Sequence, residues 1–439
     1  MSSRDGRARV LVVTNDRVAA RRAGPAIRSY EIARALGRVF DVTLAAAVPI
    51  EESAPLGVEA LSYGDDPRRL RALADRADVV VLAPFVLGVH RVLLDAEAAL
   101  VADLTDPYIF EQLALAARIG GAGDVAGALA ALRLELEACD LVLCASESQR
   151  MLYLGMLAAL GRLTAEWYAH DPTLERLVAV VPFGAADEPF EPAAAAGPLP
   201  PALEGKRVLL WGGGVWNWLD PLTPIRAASR LAATHPDATL VFLGRGHPHP
   251  ALPAVHFETA HAAERYAEEH LLAGRSVVFG AEWVPFDERR RYLARAEIGV
   301  SAHPDSAETR FAFRTRLLDY FWAGLPVVTT EGDVLADLIR ARGAGRVVPC
   351  GDDAAMAAAF AALLDDAGER RRCGAAAAAI ARELRWELVT RPLVEFVDRV
   401  GRGKALLTGA HGARCAEQGA AMVPARRSRR AWLSWGRSR

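Results

Sequence analysis

Short β-branched runs alternate with longer helical patterns along most of this 439-residue chain. Continuous apolar runs are typical of parallel strands, which are buried on both faces. In the first half, the runs that predict strands are Val10–Val13, Val42–Ala45, Val79–Leu82, Leu100–Leu104, Leu141–Cys144 and Val178–Val181. Helical patterns such as Ala26–Leu36 and Ala126–Ala138 lie between them. The alternation predicts an α/β protein with a doubly wound parallel sheet.

Residues 184–206 interrupt the alternation with five prolines and no hydrophobic periodicity, which is typical of a linker. A second series follows, and its predicted strands are Val208–Trp211, Thr239–Leu243, Val277–Gly280, Ile298–Ala302, Val327–Thr330 and Val347–Pro349. Two similar series predict two Rossmann-like domains that face each other across a cleft, with ligands at the carboxyl ends of the strands. The predicted boundaries are 1–187 for the first domain, 188–206 for the linker and 207–382 for the second domain.

Two further segments complete the predicted organisation. Residues 383–400 have apolar residues at helical spacing and are expected to pack back on the first domain. Residues 401–439 carry nine Lys and Arg against one acid, while the whole chain has a net charge of −2. That balance gives no signature of nucleic-acid binding. The basic tail is interpreted as a flexible end; alternatively, residues 426–439, with Trp432 and Trp435, make a peripheral contact with an acidic membrane surface.

Cysteine usage and hydropathy indicate the compartment. The five cysteines form an odd set with no CxxC pair, which is typical of a reduced cytosolic protein. The N-terminus lacks the apolar core of a signal peptide. The longest apolar run, Val79–Val89, is too short to span a bilayer. We expect a bacterial protein located in the cytoplasm, or peripherally at the inner face of the membrane.

The loop after the first predicted strand enters the helix Ala26–Leu36 through Gly24-Pro25. Gly-Pro is a helix-start signal because proline is tolerated in the first turn. A helix N-terminus offers free N–H groups and a partial positive charge to an anion, and Arg28 adds a full charge. We predict that Gly24 and Arg28 contact a ligand; a solvated basic loop is the alternative.

Three glycines, Gly212–Gly214, follow the first strand of the second series. Glycines at a strand end let the backbone approach a phosphate closely. The surrounding residues match neither the Walker A pattern nor GxGxxG. We predict a phosphate contact at Gly213 and Gly214, with a plain tight turn as the alternative.

Two other strand ends carry chemistry. Asp106 follows Leu100–Leu104 within Leu-Thr-Asp-Pro. A carboxylate there could accept a proton or bind a hydroxyl, but aspartate also caps helices, and both interpretations stay open. Trp283 and Val284 follow Val277–Gly280. They could frame a flat ring, or Trp283 could belong to the core.

The stretch 308–330 predicts, in order, a charged loop, a helix, a tight turn and a buried strand. Its cations are Arg310, Arg314 and Arg316. Three guanidinium groups cannot all be buried without anions, and the planar fork of arginine matches phosphate oxygens. Asp319 shares a helix face with Arg316. The surrounding apolar residues favour a ligand site over a solvated Arg316–Asp319 pair.

With these motifs the chain resembles the nucleotide-sugar glycosyltransferases of the GT-B fold, and specifically the large retaining family four (group 1). The residues that carry the resemblance are Gly24-Pro25, Val181–Gly184, Trp283-Val284-Pro285, Glu308–Arg316, Asp319–Val328 and Gly332-Asp333. The resemblance covers about residues 8–400. It implies that the second domain binds the donor, that the first binds the acceptor, and that the anomeric configuration is retained.

The chain departs from the family's pattern at three places. Counting back from Gly324, Asp319 takes the place of the family's second glutamate, which implies a ribose contact, while Phe311 takes the place of the first. Glu308 is the nearest acid to that first position, and Asp106 is the nearest counterpart of the family's first-domain histidine. The family's Arg and Lys after the glycine turn are replaced by residues 216–218, Trp-Asn-Trp. We therefore hypothesise that one of the three arginines in the stretch 308–330 supplies the missing charge.

The resulting prediction is a metal-independent glycosyltransferase with no cofactor besides its donor substrate, a UDP- or GDP-type nucleotide sugar. The acceptor is a small molecule, a glycan or a lipid-linked compound. The predicted catalytic residues are Asp106, Glu308, Arg314 and Arg316, and the predicted ligand-binding residues are Gly24, Arg28, Gly213, Gly214, Trp283, Val284, Arg310 and Asp319. Two alternatives stay open: a sugar-nucleotide epimerase on the same fold, and a GT-B partner protein without catalysis.

Overall fold

The computed structural model describes residues 7–19, 23–51, 57–64, 66–118, 125–192, 200–244, 257–280, 284–285 and 288–403. The chain divides into two compact units, and each has its own parallel sheet. The first unit comprises Met1–Gln112, Asp124–Phe183 and Trp386–Arg439. The second comprises Leu113–Gly123 and Gly184–Arg385. The boundaries between the units along the chain are therefore Gln112–Leu113, Gly123–Asp124, Phe183–Gly184 and Arg385–Trp386.

The sheet of the first unit has seven parallel strands in the order β3-β2-β1-β4-β5-β6-β7. The strands are β1 Arg9–Thr14, β2 Asp41–Ala46, β3 Glu59–Ser62, β4 Val79–Leu82, β5 Ala99–Asp103, β6 Leu141–Cys144 and β7 Val178–Val180. The helices between them are α1 Gly24–Gly37, α2 Pro67–Ala74, α3 Val86–Val89, α4 Tyr108–Arg118, α5 Val125–Ala138, α6 Glu147–Ala159 and α7 Ala165–His170. β4, β5 and β6 are buried along their whole length, as parallel strands covered by helices on both faces should be.

The sheet of the second unit has six parallel strands in the order β10-β9-β8-β11-β12-β13. They are β8 Arg207–Trp211, β9 Ala238–Phe242, β10 Val277–Phe279, β11 Ala296–Ser301, β12 Val327–Thr330 and β13 Gly345–Val348. The accompanying helices are α8 Leu222–Leu231, α9 Glu258–Glu269, α10 Arg289–Leu293, α11 Ala307–Phe311, α12 Arg316–Trp322, α13 Val334–Arg342, α14 Asp353–Asp365 and α15 Ala367–Glu383. Two last helices, α16 Trp386–Val389 and α17 Arg391–Gly401, belong to the first unit.

The packing of α12 against β11 positions the later site. Gly299 lies in β11, and a Cβ there would come within 2.4 Å of the Tyr320 ring of α12. Any larger side chain would therefore push the helix off the sheet, because a tightly packed interior has no room for it. The close approach places Tyr320, which is fully buried, against the end of β8.

The prediction of two Rossmann-like sheets is confirmed, and the predicted strands coincide with observed ones. The exception is β3, Glu59–Ser62, which the sequence analysis omitted. It is an edge strand whose side chains are half-buried or exposed, so it lacks the continuous apolar run that identified the others. The assignment of the donor to the second domain and of the acceptor to the first stays a prediction, as do the predicted boundaries.

Candidate functional site

The glycine turn after β8 is fixed by α12. Gly213 has φ +86°, a left-handed conformation that glycine adopts at no steric cost. The N–H of Gly212 donates to Tyr320 Oη at 2.7 Å, and the same Oη lies 2.8 Å from the carbonyl oxygen of Leu210. A single buried tyrosine therefore sets the position of the backbone where the sequence predicted a phosphate contact.

Arg316, the first residue of α12, reaches the same turn. Its Nη2 donates to the carbonyl oxygen of Gly214 at 2.9 Å, and its guanidinium carbon lies 4.4 Å from the centroid of the Trp211 ring. Burial lowers the pKa of Arg316 to about 10, so the group stays cationic at neutral pH. Its Nη1 is buried, and within the described part of the chain it has no hydrogen-bond partner. The turn thus has a fixed positive charge beside it with one donor nitrogen to spare.

Arg314 and Glu308 form a buried pair in this unit. Arg314 Nη1 and Nη2 donate to the two carboxylate oxygens of Glu308 at 2.8 and 2.6 Å, and the two side chains are 6% and 3% exposed. We predicted that both act on a ligand. That stays a prediction; in the structure the anion that faces Arg314 comes from the chain itself, and both partners are enclosed. Bidentate pairs of this kind fix geometry, so the pair also holds α11 to the start of α12.

Two residues that the sequence analysis did not assign lie beside this pair. Asp333 caps α13 by accepting from the N–H groups of Leu335 and Ala336, and its Oδ2 lies 3.6 Å from His303 Nδ1. Burial raises the pKa of Asp333 to about 6, whereas burial and the charge of Arg314 lower the pKa of His303 to about 3. His303 is therefore neutral at physiological pH. Gly332-Asp333 before α13 is a helix-capping signal that the sequence shows. A single histidine after a strand, such as His303, carries no comparable sequence signal.

The third arginine of the stretch faces outward. Arg310 is exposed, with 69% of its side chain accessible, and lies 3.4 Å from the exposed Asp305. A pair of this kind contributes little to stability. Of these three cations, Arg314 and Arg316 each keep one buried nitrogen without a hydrogen-bond partner among the described residues, but Arg314 already pairs with Glu308, whereas Arg316 contacts the glycine turn.

Asp319 pairs with a residue that the sequence analysis did not consider. Arg289 Nη1 lies 2.8 Å from Asp319 Oδ2, and the side chains are 17% and 27% exposed. Burial raises the pKa of Asp319, and the charge of Arg289 opposes that rise. Val284, shortly before Arg289 in the sequence, is half-buried. Trp283, its predicted companion, lies outside the described residues.

In the first unit, Arg28, for which a ligand contact stays a prediction, has three hydrogen-bond partners within the chain. It is 3% exposed, and its Nε donates to Asp103 Oδ2 at 2.7 Å. Its two Nη atoms donate to the carbonyl oxygens of Pro182 and Val181 at 3.0 and 2.8 Å. The guanidinium group ties α1 to β5 and to the exit from β7. Gly24, by contrast, begins α1 with open space around its Cα, since nothing lies within 4 Å of a built Cβ.

The ends of β1 and β5 bring acids together. Asp106 is half-buried, and so is Asp16, which follows β1. Burial, and then the charge of Asp106, raise the pKa of Asp16 to about 6. Nearby, Tyr63 Oη lies 3.2 Å from Asn15 Oδ1 and 3.0 Å from His90 Nε2. The predicted site residue Asp106 therefore has a second carboxylate, Asp16, as a neighbour. The two residues are far apart in the sequence, so no local motif indicated this.

Glu135 is a buried acid of the first unit that no sequence motif indicated. Its Oε1 accepts from the N–H of Phe85 at 2.8 Å, and its Oε2 accepts from Tyr108 Oη at 3.0 Å. Phe85 has φ +67°, a strained left-handed conformation for a bulky residue. Burial raises the pKa of Glu135 to about 8. This carboxyl holds the backbone after β4 and the first residue of α4 in place.

The described residues contain neither a metal-binding cluster nor a membrane-spanning helix. No group of three or more His, Cys, Asp or Glu suited to a metal ion occurs among the residues that the structure describes. In the same part of the chain, no helix has the length and hydropathy required to cross a bilayer. The predicted membrane contact of residues 426–439 lies outside the described residues.

Sequence comparison identifies the second unit. Residues 206–366 match the family model described as "Glycosyl transferases group 1". The second unit is a group 1 glycosyltransferase domain. The recognition of this family from the sequence, and the prediction that the chain is a glycosyltransferase, are thereby confirmed. A search of curated proteins found no significant match to the chain.

Solved structures with the same fold cover most of the glycosyltransferase. A trehalose-phosphate synthase (UDP-forming) from Burkholderia vietnamiensis is 15% identical with a TM-score of 0.67, covering 91% of this chain and 98% of its own. Anabaena HepE in complex with UDP and glucose is 14% identical with a TM-score of 0.63, covering 89% and 99%. Sucrose-phosphate synthase from Thermosynechococcus elongatus is 15% identical with a TM-score of 0.58, covering 90% and 100%. At these identities the likeness establishes the fold, which is GT-B.

Proposed function

We propose that this glycosyltransferase transfers a sugar from a nucleoside-diphosphate sugar, held by its second unit, to an acceptor held by its first. The family match of the second unit supports the sugar transfer. Similar solved structures favour a uridine nucleotide, because Anabaena HepE is in complex with UDP-glucose and an E. coli protein is bound with UDP-2-fluoro glucose. Glucose or a related hexose is the corresponding sugar.

The observation that carries the proposal is the free Nη1 of Arg316 beside the glycine turn. When a glycosidic bond to a diphosphate breaks, negative charge develops on the leaving phosphate. A fixed cation and backbone N–H groups stabilise that charge without reorganisation. Gly213 and Gly214 supply a backbone with no side chain in the way. Arg316 thereby takes the place of the family's cations that residues 216–218 lack.

The remaining parts of the donor follow from the same unit. Asp319 contacts the pentose, and Val284 lies against the base. The diphosphate is neutralised by protein groups, so the transfer is metal-independent and proceeds with retention, as in the family that the sequence resembles.

The acceptor is assigned to the first unit by the chemistry of its strand ends. Asp16 and Asp106 present carboxylates, which accept hydrogen bonds from sugar hydroxyls. A polyhydroxylated glycan or metabolite, free or lipid-linked, suits such a site. Asp106 either orients an acceptor hydroxyl or takes its proton. A tail contact with a membrane would favour the lipid-linked form; co-sedimentation with anionic liposomes, compared between the full chain and one ending at Val400, tests it.

A thermal-unfolding panel with UDP, GDP, dTDP and ADP tests the donor class. A nucleotide at 100 times its Kd stabilises the folded state by about 2.7 kcal/mol. We expect a clear rise in Tm with UDP, followed by mass-spectrometric detection of a glycosylated product when UDP-glucose and an acceptor mixture are supplied. If no nucleotide raises Tm, the proposed donor site is wrong; if a nucleotide binds and its sugar is isomerised without an acceptor, the transferase assignment is wrong.

A further inference from the structure

The backbone after β4 holds a bulky residue in an unusual conformation. Phe85 has φ +67° and ψ −9°, in the left-handed region that residues with a large side chain seldom adopt. Such a conformation is unfavourable and persists only where surrounding contacts impose it. Strained residues of this kind are concentrated at active sites and ligand-binding sites. The strain at Phe85 is therefore a reason to examine what holds it and where its ring lies.

A buried carboxyl group of α5 imposes the conformation. Glu135 is 1% exposed, and its Oε1 accepts from the N–H of Phe85 at 2.8 Å. Its Oε2 accepts from Tyr108 Oη at 3.0 Å. The rings of Phe85 and Tyr108 also pack together, with centroids 4.2 Å apart and an angle of 50° between their planes. Phe85 is thus fixed through its backbone and through its ring, although Glu135 lies 50 positions away in the sequence.

Phe85 lies at the carboxyl edge of the first unit's sheet, between two acidic loops. The strand order β1-β4-β5 places the end of β4 between the ends of β1 and β5. Asp16 follows β1 and Asp106 follows β5, and the charge of Asp106 helps to raise the pKa of Asp16. The N–H of Tyr108 donates to the carbonyl oxygen of Asp106 at 2.8 Å, so the ring partner of Phe85 is anchored beside that acid. Phe85 itself is half-buried, which leaves part of it accessible to a ligand.

An aromatic ring beside carboxylates suits one class of ligand, a sugar in its ring form. The C–H groups on one face of a pyranose carry a slight positive charge, and the face of an aromatic ring is negative. The hydroxyls at the rim of the same sugar donate to carboxylates. Ligand sites commonly combine an apolar surface with a few polar groups that set the orientation of the ligand. An open-chain polyol has the hydroxyls but lacks a flat C–H face.

We propose that Phe85 is a specificity-determining residue of the acceptor site, where its ring packs on the C–H face of an acceptor pyranose, and that Glu135 is a positioning residue that holds Phe85 in place. The inference rests on the proposed function, in which the first unit binds the acceptor. It narrows the acceptor, among polyhydroxylated compounds, to those that present a pyranose with one face free of axial hydroxyls. The strained backbone of Phe85 is the consequence of holding its ring between the two acidic loops.

Saturation-transfer NMR on the full-length protein tests the inference with four probes. Three are pyranosides with a C–H face free of axial hydroxyls: methyl β-D-glucopyranoside, methyl β-D-galactopyranoside and methyl β-D-xylopyranoside. The fourth is the open-chain polyol D-sorbitol. We expect at least one glycoside to bind, with the strongest saturation at H1, H3 and H5, and sorbitol to bind at least about fivefold more weakly. If no glycoside binds, or if sorbitol binds equally well, the inference is overturned.

Removal of the ring tests the role of Phe85. Phe85→Leu keeps an apolar side chain without a flat face and should raise the Kd of the bound glycoside about fivefold or more. Tyr168→Leu is the control in the same unit, because Tyr168 is 62% exposed on α7, which leads into the start of β7; it should leave that Kd within about twofold of wild type. If Phe85→Leu does not fold, Phe85→Gly takes its place with the same expectation, since glycine adopts the left-handed conformation at no steric cost. An unchanged Kd in the Phe85 variant overturns the inference.

Two changes at Glu135 separate positioning from general stability. Glu135→Ala removes the acceptor of the Phe85 N–H and should weaken glycoside binding about fivefold, while the Kd for UDP stays within about twofold of wild type because the proposed donor site belongs to the second unit. Glu135→Gln keeps a side-chain oxygen for that N–H and should restore glycoside binding. If the alanine variant does not fold, Glu135→Asp, whose carboxyl group is one methylene shorter, replaces it with the same expectation. Glycoside binding unchanged in the alanine or aspartate variant would refute the positioning role.

Failure of this inference is distinguishable from failure of the proposed function. Calorimetric titration with UDP on the same samples reports the donor site independently of the glycosides. If the proposed function is wrong, UDP does not bind, or UDP-glucose yields no glycosylated product. If the function is right and the inference wrong, UDP binds and a product forms, but glycoside binding does not depend on Phe85.

Discussion

Both units place a glycine-containing segment after their first strand, but they leave opposite charges unpaired beside it. In the first unit, the nearby cation Arg28 donates hydrogen bonds to Asp103 and two carbonyl oxygens. Asp16, by contrast, has no cationic partner among the described residues. In the second unit, Arg316 keeps one nitrogen without a hydrogen-bond partner among the described residues, while Glu308 is paired with Arg314. The first edge therefore suits hydroxyl-rich or cationic groups, and the second suits an anion.

The difference teaches that pairing, not residue type, decides which charge is available to a ligand. Arg28 lies in the second turn of α1 and Arg316 is the first residue of α12, and both guanidinium groups are enclosed. Their surroundings differ, because Asp103 lies at the end of a neighbouring strand and pairs with Arg28, whereas among the described residues no acid forms an ion pair with Arg316. Buried charges need partners, so a buried cation with a spare donor is where an anionic ligand gains most.

The largest expected effect is on stability, from Arg314→Met. This change leaves Glu308 and Asp333 enclosed without a cation, and removing one partner of a buried pair typically costs about 3–5 kcal/mol. Chemical denaturation followed by fluorescence measures the free energy of unfolding. Arg310→Met is the matched control, expected to stay within about 0.5 kcal/mol of wild type because its pair is exposed. Equal effects of the two changes would contradict the distinction between enclosed and available arginines.

Next in size is the effect of Arg316→Gln on the donor. Removing the charge beside the glycine turn should weaken UDP binding about 100-fold, equivalent to about 2.7 kcal/mol. Isothermal titration calorimetry measures the Kd, with Arg310→Gln as the control of equal charge change, which should bind UDP within about twofold of wild type. A Kd unchanged in Arg316→Gln would move the diphosphate away from the glycine turn and break the comparison.

A smaller effect is expected from Glu135→Gln, through pH. The pKa of Glu135 is raised to about 8 in the folded state from 4.5, so the folded protein holds a proton that the unfolded chain releases. Stability contributed by this group is complete below about pH 4.5 and is lost as pH rises toward 8. Glutamine has no proton to lose, so the stability of the variant relative to wild type should rise as pH increases from 5 to 8. Denaturation at both pH values checks this; a difference independent of pH would contradict the raised pKa.

The smallest effect tests the acid-rich edge itself. Asp106→Asn removes a negative charge that helps to raise the pKa of Asp16, so that pKa should fall toward its usual value of 3.8. Burial, the larger cause, remains, so the fall is incomplete. Carboxyl NMR titration of Asp16 measures it, with Glu59→Gln, a change at an exposed strand, as the control. A pKa that does not move would place the two carboxylates too far apart to share an acceptor.

Local sequence was sufficient for most of the fold. β-branched runs such as Val79–Leu82 predicted β4, whereas α11 lies where a charged loop was expected, and Ser306 caps it by accepting from the N–H of Thr309. The edge strand β3 was not predicted, because a half-exposed strand lacks a continuous apolar run. For the site, sequence selected the glycine turn, Arg316 and Asp319, but it assigned Arg28, Glu308 and Arg314 to a ligand. Those assignments stay predictions; the structure adds that all three side chains are paired within the chain, which a charge run does not reveal.

The sequence by itself determined two parallel α/β units, the glycine turn at Gly212–Gly214 and the charged stretch that precedes β12. These follow from periodicity and backbone preference, which act within a few residues. Only the tertiary structure decided which charges are paired within the chain. Arg314 pairs with Glu308, Arg28 with Asp103, and Arg289 with one oxygen of Asp319. Residues far apart in sequence are brought together by packing of the sheet and helices, and a buried ion pair depends on that packing to within an ångström.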